Sequence, residues 1–353
     1  MRKSLIIYRD RLGIGGSERV LSALVELFRS LGFHVTVLSF GGLWDTNYHG
    51  QKPHQIINIL DYRYIDMLPS YKYSRFIRNI YTLFYEFIAK YSYDIIIDSA
   101  YNDLRGTVDL GYVHYLYRRY LCGDYKFKLN DMISYLLDIY YSAPKSAKII
   151  AANSSWTLKK IMECGFSGVI VHPPVDPVDC PATADKDDLV VGLGRLGKPW
   201  EEFIEIAKRV KTTRPSVSFV IMGSTEDPHR AKYLESLGGG AVKIMPNVDE
   251  KTKREVLCKA KVLLHTHPAE HFGIAVVEAM YAGAVPVVHR NGGAWYDIVA
   301  EGRYGYGYDD IEEATVAVLD ALNNEQLRCE VRDRAKKFSK NSFKQKIQNL
   351  LKL

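Results

Sequence analysis

One stretch of the chain, residues 261–293, restricts the fold more than any other. An apolar run at 262–264 leads through a polar loop into a helical run at 275–282, which Gly283 ends, and a second apolar run follows at 285–289. Strand, loop, helix and strand in this order are the building block of a parallel sheet. The sequence therefore predicts an α/β fold, with the loop at the carboxyl ends of strands, where such sheets bind ligands.

Two carboxylates in this stretch, Glu270 and Glu278, stand eight positions apart. On one continuous helix they would lie roughly 12 Å apart, at ~1.5 Å per residue, which is too far for a carboxylate pair that shares one bond. Glu270 is instead expected in the loop and Glu278 in the helix, so that one pocket could use them for different parts of a ligand. The alternative for a lone glutamate is a helix cap or a solvated residue. Gly273 favours a close approach of backbone to ligand, because the amides at a helix start can face an anion.

The spacing of fixed residues here resembles glycosyltransferase family 4, whose members are retaining enzymes of the GT-B fold. The matching positions are Glu270, Phe272, Gly273, Glu278, Ala279, Gly283, Pro286, Val287, Val288, Gly292 and Gly293. Within the family, the sequence of this stretch is most similar to that of the dolichol-pathway GDP-mannose mannosyltransferases. The resemblance implies two Rossmann-like domains with parallel sheets that face each other across a cleft.

A chain of 353 residues is long enough for two domains, each with its own core. We expect an N-terminal, acceptor-side domain over residues 1–172. Residues 173–187, with four prolines and four aspartates, are the predicted linker. A nucleotide-sugar-binding domain is predicted over 188–335. The resemblance implies that a last helix, 336–353, crosses back to the first domain.

The composition is ordinary for a globular protein, with 47% hydrophobic and 25% charged residues. The net charge of +6 fits phosphate-bearing substrates or an anionic membrane surface better than nucleic acid, which we do not expect as a partner. Five cysteines without CxxC spacing predict reduced thiols in a cytosolic protein. Neither a signal peptide nor a transmembrane helix is expected, since no apolar run reaches ~18 residues. A cytoplasmic protein is predicted.

A glycine-rich loop with Gly13, Gly15 and Gly16 lies between a predicted strand at 4–8 and a predicted helix at 18–31. Backbone amides and a helix start in such a loop can hold a phosphate. The spacing fits neither the dinucleotide fingerprint nor the P-loop, which weakens both of those readings, and a simple tight turn is the alternative. Family 4 proteins have a comparable Gly-Gly-x-Glu-Arg loop, near the donor phosphate and the acceptor.

The resemblance assigns roles to single residues. His114, at the end of a predicted strand, would contact the donor sugar, although a lone histidine is more often part of a core. Arg195 and Lys198 would grip the donor diphosphate, on a loop shorter than the family's usual one. Glu270 would lie by the donor sugar and phosphate, and Glu278 would bind the ribose. The contacts to the base, the sugar hydroxyls and the phosphates are expected from Val248, Phe272, Gly273, Ile274, Gly15 and Gly16.

Two stretches alternate basic and aromatic residues, at 62–85 and 115–128. A basic, aromatic amphipathic helix can lie in a membrane interface, and an ordinary surface helix is the equal alternative for the first stretch. In the second stretch, Tyr117, Arg118 and Arg119 could meet the phosphate or headgroup of an acceptor. A solvated loop is the alternative for these three. A peripheral membrane contact is therefore an expectation of the sequence.

No metal or cofactor is expected. The Asp-x-Asp sequence at 185–187 lies in the predicted linker, and the family's site uses no metal. His265, His267 and His271 could suggest zinc, but no cysteine is nearby. The sequence thus predicts a retaining glycosyltransferase that moves a hexose from a nucleoside diphosphate sugar to a glycan or lipid-linked acceptor. A nucleotide-sugar 2-epimerase of the same fold and a non-catalytic sugar-nucleotide-binding protein are the alternatives.

Overall fold

A computed structural model describes residues 1–13, 15–58, 81–82, 84–102, 104, 106–116, 147–181 and 185–353. The chain forms two compact units. The first comprises Met1–Pro174 and Lys340–Leu353, and the second comprises Val175–Ser339. The division after Pro174 falls within the proline-rich segment that the sequence marks as a linker.

Each unit is built on a parallel sheet. The first sheet has the strand order β3-β2-β1-β4-β5-β6-β7 and the second has the order β10-β9-β8-β11-β12-β13. The strands are β1 Lys3–Ile7, β2 His34–Ser39, β3 Gln55–Asn58, β4 Ile95–Asp98, β5 Leu110–Val113, β6 Ile149–Ala152, β7 Val169–Ile170, β8 Asp187–Leu193, β9 Ser218–Gly223, β10 Lys243–Pro246, β11 Ala260–His265, β12 Val285–His289 and β13 Tyr306–Tyr308. Every described pair of neighbouring strands is parallel. The predicted α/β class and its two Rossmann-like domains are confirmed.

The helices connect these strands and cover the sheets. They are α1 Gly16–Ser30, α2 Thr46–His49, α3 Ser155–Glu163, α4 Glu201–Thr213, α5 Pro228–Gly238, α6 Glu250–Lys259, α7 Ile274–Tyr281, α8 Ile311–Asn323, α9 Glu325–Ala335 and α10 Lys340–Leu351. Residues 81–82 and 84–89 are helical as well. No helix within the described residues is both long and apolar enough to cross a membrane.

The second unit has a core on each side of its sheet. Phe203 of α4 and Leu264 of β11 belong to one fully buried cluster. Leu263, the next residue of the same strand, joins Val277 of α7 in the other. Successive side chains of a strand point to opposite faces, so a strand covered on both faces must be apolar throughout, as the run at 262–264 is.

The last helix belongs to the first unit. The structure begins this helix at Lys340, whereas the sequence placed its start at residue 336. Residues Lys336–Phe338 form a short 3₁₀ turn in the second unit, because Phe338 packs into that unit's core against Phe272. One turn into α10, Phe343 is buried with its ring centroid 6.0 Å from that of Tyr112.

The cysteines differ from the expectation of reduced thiols, which is wrong for at least three of them. Cys180 and Cys258 form a disulfide with a Cα–Cα distance of 5.4 Å, and Cys164 is disulfide-bonded as well. Cys180 precedes β8, and Cys258 lies at the end of α6, which runs directly into β11. Because β8 and β11 are neighbours in the sheet, residues 78 positions apart meet. The spacing of the cysteines in the sequence could not predict that these two lie close together.

Candidate functional site in the second unit

Three neighbouring strands of the second sheet end beside one another, and each is followed by predicted site residues or by glycines of the family pattern. The strands are β8, β11 and β12, in that spatial order. Arg195 and Lys198 follow β8, Glu270 follows β11, and Gly292 and Gly293 follow β12. The carboxyl ends of parallel strands meet at one edge of the sheet, so the fold gathers these residues at the edge where ligands of such sheets bind.

An ion pair occupies the centre of this edge. Lys198 Nζ lies 2.8 Å from Glu270 Oε2, and His265 Nε2 lies 3.5 Å from the same oxygen. Burial on its own would raise the pKa of Glu270. The hydrogen bonds and positive charges of His265 and Lys198 outweigh burial and hold this pKa well below its usual range. The side chains of Lys198 and Glu270 remain 29% and 21% exposed, so a ligand can reach the pair.

The double glycine after β12 holds the backbone of the Glu270 loop. The Gly293 amide donates to the Glu270 carbonyl at 2.7 Å, and Glu270 forms an isolated parallel bridge with Gly292. A Cβ on Gly292, whose φ is +110°, would lie 2.5 Å from the Glu270 carbonyl oxygen. A Cβ on Gly293 would lie 2.2 Å from the carbonyl oxygen of His271. Only glycines permit this approach, so the pair sets the position of Glu270.

The start of α7 exposes backbone rather than side chain. Gly273 takes a left-handed conformation with φ of +106° at the N-cap. The ring of Phe272 is buried against Phe338, with 5.5 Å between ring centroids. Ligand contacts near Phe272 and Ile274 therefore come from the main chain, where the first amides of a helix have no partner within the helix.

Glu278 lies on the buried side of α7. The residue is 6% exposed, and its Oε1 lies 3.3 Å from Nζ of Lys253, which comes from α6. Its side chain is therefore not a solvated helix residue. Val248, in the loop before α6, is half-buried and packs against the same core as α7. Its neighbour Asn247 has a positive φ of 51°.

Arg195 lies at the surface, directly after β8. Its carbonyl accepts hydrogen bonds from the Lys198 amide and the Trp200 indole, both at 3.1 Å. Its guanidinium makes no ion pair within the part of the chain that the structure describes. Backbone contacts thus fix the direction of the loop and leave the charged end of Arg195 available.

His114 lies in the first unit, directly after β5. Its Nε2 is 2.7 Å from the Ser99 carbonyl oxygen, which can only accept, so Nε2 carries the proton and donates. Burial lowers the pKa of His114 to about 4, although the bond to Ser99 opposes this shift. The imidazole is therefore neutral at pH 7, with Nδ1 as a hydrogen-bond acceptor.

The glycine loop of the first unit carries a contact that the sequence did not suggest. Glu18 is buried, accepts a 2.9 Å hydrogen bond from the Ser17 hydroxyl, and lies over the loop. A Cβ on Gly15 would be 2.9 Å from Glu18 Oε2, and one on Gly13 would be 3.3 Å from Oε1. Gly13 and Gly15 thus make room for a carboxylate of the chain itself. A phosphate bound there would lie beside a like charge.

Sequence reasoning missed a second polar cluster beside the ion pair. His289 ends β12, with Nε2 3.6 Å from Glu202 Oε1, and Tyr308 donates to the same oxygen at 2.7 Å. Burial raises the pKa of Glu202, but these partners lower it by more. The strand-end position that drew attention to His114 would have found His289, whereas nothing in the helical pattern of α4 distinguishes Glu202.

Metal ligands are not assembled in the described part of the chain: no group of three or more His, Cys, Asp and Glu side chains there could hold an ion. Asp185 and Asp187 are exposed. Lys186 between them points inward and donates to three backbone carbonyls, near the end of α6 at 3.3 Å, at the start of β11 at 2.8 Å and just after α7 at 2.6 Å. Burial and the nearby charges of Arg332 and Arg328 lower the pKa of Lys186 to about 7.

The predicted acceptor-side residues fall outside the described residues. These are Tyr117, Arg118 and Arg119, together with the basic residues between positions 62 and 80. The described ends of the two basic-aromatic stretches are residues 81–82 and 84–85 and residues 115–116. The predicted acceptor contacts therefore stay predictions.

Two family models match the chain in tandem and together span nearly all of it. The model described as Glycosyltransferase Family 4 matches residues 14–179, and the model described as Glycosyl transferases group 1 matches residues 181–342. The chain belongs to the family 4 glycosyltransferases. Each model covers one of the two sheets, so membership rests on both units of the chain.

Relatives with assigned activities support this membership. The chain is 28% identical over 248 residues to a protein of Xenopus laevis named GDP-Man:Man(3)GlcNAc(2)-PP-Dol alpha-1,2-mannosyltransferase, over 61% of this chain and 51% of that protein. It is 30% identical over 240 residues to the mouse protein of the same name, over 58% of this chain and 48% of that protein. The chain thus matches about half the length of these relatives.

A solved structure supports the fold of this family 4 glycosyltransferase. WaaG, a glycosyltransferase involved in lipopolysaccharide biosynthesis, superposes with a TM-score of 0.69 over 99% of both chains, at 15% identity. At this identity the likeness concerns the fold alone. The predicted GT-B fold is confirmed.

The ion pair at Glu270 predicts a specific pH dependence of stability. A carboxylate whose pKa is depressed by folding stabilises the native state above its unfolded pKa, near 4.5, and loses this contribution as pH falls through the folded value. We expect Glu270→Gln to lower the free energy of unfolding at pH 7, with the difference from wild type shrinking below pH 4.5. Urea unfolding of both proteins between pH 3 and 7 measures this difference in the free energy of unfolding. Glu226→Gln, at an exposed position of the same unit, is the control, and equal pH profiles for both variants would contradict the ion pair.

Proposed function

We propose that this chain transfers a hexose, with retention at the anomeric carbon, from a nucleoside diphosphate sugar to a lipid-linked glycan. The observation that carries the proposal is the Lys198–Glu270 pair at 2.8 Å, beside the exposed Arg195 and the start of α7. Cations and a helix start converge where a diphosphate leaving group would lie. The relatives' names point to GDP-mannose as the donor and to a dolichol diphosphate glycan as the acceptor.

In the proposed reaction, the bond between the anomeric carbon and the diphosphate breaks through a cation-like state. Negative charge then grows on the phosphate oxygens. Arg195 and Lys198 would stabilise this charge, together with the amides at the start of α7. These groups are held by the loops after β8 and β11 and need little rearrangement as the charge develops.

Glu270 has an electrostatic part in this scheme. A carboxylate paired with Lys198 and His265, with a pKa held far below neutrality, is a poor proton acceptor at pH 7. We therefore assign the proton of the acceptor hydroxyl to the departing phosphate. Glu270 would keep Lys198 in place and face the donor sugar and its phosphate.

The remaining donor contacts follow from the geometry of each residue. Glu278 would accept hydrogen bonds from the ribose hydroxyls while Lys253 balances its charge, and Val248 would lie near the base. The amides after Phe272 would bind the sugar hydroxyls. The neutral His114 would accept a hydrogen bond from the donor sugar through Nδ1. Since Glu18 covers the glycine loop of the first unit, the diphosphate would bind to the cations of the second unit.

A lipid-linked acceptor requires contact with a membrane, and the first unit exposes a surface suited to it. On the segment 81–91, five side chains of one helical face are 45–84% exposed; they are Tyr81, Phe84, Phe87, Ile88 and Tyr91. The opposite face buries Thr82, Glu86 and Ala89. Aromatic side chains favour the interface between headgroups and acyl chains. We propose that this aromatic stripe rests on the membrane, with Tyr117, Arg118 and Arg119 on the acceptor side.

The role of Arg195 is tested by Arg195→Ala. A thermal-shift panel of GDP-, UDP- and ADP-hexoses first identifies the donor. With that donor, we expect kcat to fall about 10²–10³-fold, the usual loss for one donor to a developing negative charge, with little change in Tm. Arg209→Ala removes an exposed arginine from α4 in the same unit and should leave kcat unchanged. Near-normal turnover of a folded Arg195→Ala protein would refute this role.

The charge distribution also predicts that no divalent metal is needed. Lys198 and Arg195 supply the positive charge that a metal would otherwise bring to the diphosphate. We expect turnover in excess EDTA to equal turnover without it. Activity that EDTA abolishes and Mg²⁺ or Mn²⁺ restores would show that a metal shares this task.

Liposome flotation tests the membrane surface. We expect the protein to float with anionic liposomes at low salt and Phe84→Ser with Phe87→Ser to reduce the floating fraction severalfold, because two exposed aromatic rings are lost from the stripe. Met162→Ser changes a side chain that is 60% exposed in the same unit and serves as the matched control. If the double variant floats like wild type, the stripe does not face the lipid.

A further inference from the structure

The loop that carries Arg195 and Lys198 is held from behind by an arginine of another helix. Arg230, on α5, donates from Nε to the Leu196 carbonyl at 3.0 Å and from Nη2 to the Lys198 carbonyl at 2.9 Å. Nη2 also lies 3.1 Å from Glu201 Oε1, at the start of α4. One guanidinium thus links two carbonyls of the loop, those of Leu196 and Lys198, to α4, the helix that follows the loop.

Packing fixes the first part of this loop, whereas hydrogen bonds hold its Lys198 end. Leu196 is fully buried, and its amide donates to the Ser224 carbonyl at 2.9 Å. Gly197 is exposed, with open space around the position of a Cβ. The Lys198 amide donates to the Arg195 carbonyl at 3.1 Å, and the bond from Arg230 to the Lys198 carbonyl holds the other side of the residue from which the Lys198 side chain starts.

The position of Arg230 itself is well determined. Its side chain is 23% exposed, and its guanidinium carbon lies 5.1 Å from the ring centroid of Tyr233, one turn further along α5. A planar guanidinium offers several donors in fixed directions, so it can serve two carbonyls and a carboxylate together. A lysine ammonium at this position could replace the charge but not this geometry.

We propose that Arg230 is a positioning residue that sets the site's cations through the backbone of the 195–198 loop. The inference rests on the proposed function, because it gives the loop's cations a diphosphate to bind. Arg230 itself binds the loop and not the donor. Without it, the carbonyls of Leu196 and Lys198 would turn to water, and Lys198 would sample positions away from Glu270 and the leaving group.

This mechanism separates Arg230 from a residue that only stabilises the fold. Leu196 and Trp200 still anchor the loop to the core, so loss of Arg230 should change Tm by a few degrees at most. Its effect should appear in donor binding and in kcat, where Lys198 acts. The effect of losing Arg230 should also depend on Lys198, since Arg230 acts on the donor through that side chain.

The experiment compares Arg230→Ala, Arg230→Lys, Lys198→Ala and the double variant Arg230→Ala/Lys198→Ala in the full chain. Calorimetry measures binding of GDP, UDP and ADP, and initial rates give kcat and KM for the donor selected by the panel. We expect Arg230→Ala to weaken binding of the preferred nucleoside diphosphate and to lower kcat, each about tenfold, which corresponds to about 1.4 kcal/mol. Arg230→Lys should recover part of the loss, and Arg209→Ala should behave as wild type.

The double variant is the decisive comparison. Residues that act through one another give non-additive losses, so the double variant should be little worse than Lys198→Ala. Fully additive losses, or an Arg230→Ala protein that binds and turns over as wild type does, would overturn the inference. A wild-type protein that binds none of the three nucleotides would instead overturn the proposed function. If Arg230→Ala does not fold, Arg230→Lys is compared with Lys198→Ala in the same way.

Discussion

The candidate site depends on the backbone pairing between the loop after β11 and the end of β12. The bond from the Gly293 amide to the Glu270 carbonyl, and the bridge between Glu270 and Gly292, draw the loop against the neighbouring strand. Neither glycine could carry a side chain here, because backbone atoms of the loop lie where a Cβ would be. Once the loop is held, Glu270 meets Lys198 and His265, and α7 starts at a fixed point beside them.

Charge compensation is the second constraint. Each carboxylate of the proposed donor site is buried or half-buried and has a cation from a different element: Lys198 for Glu270, and Lys253 for Glu278. Burying a carboxylate without such a partner is costly. A diphosphate that enters this site brings negative charge to cations already committed to carboxylates, and the exposed Arg195 supplies additional positive charge. Arg230 adds order to this arrangement without belonging to it, since its bonds go to two backbone carbonyls and to Glu201.

In the first unit, polar side chains form hydrogen bonds and ion pairs with groups of the same unit. Glu18 covers the glycine loop, and the proton of His114 is committed to Ser99. The guanidinium of Arg9 lies among buried carboxylates, 2.5 Å from Asp98 and 3.4 Å from Glu86. Glu86 comes from the segment whose other face carries the aromatic stripe. This unit therefore offers hydrogen-bonding groups and an exposed apolar surface, whereas the cations of the proposed donor site lie in the second unit.

The sequence by itself determined the fold class, because apolar runs in parallel strands alternate with helical periods, and that pattern has few other solutions. It also located the strand-end residues Glu270, Arg195 and His114, since the carboxyl ends of parallel strands meet at one edge. The sequence also showed where Gly292 and Gly293 lie, but it did not show the backbone contacts that require glycine at these positions. These are local features, carried by residue type and by spacing within about 30 positions.

Only the tertiary structure decided which distant residues meet. The disulfide between Cys180 and Cys258, the pairing of His289 with Glu202, and the hold of Arg230 on the 195–198 loop all join segments from different elements. Helical periodicity predicts whether a residue is exposed or buried. It does not predict which residues of other elements lie next to it, because that depends on the order of the strands. Contacts of this kind depend on strand order and helix placement, which the whole chain sets together.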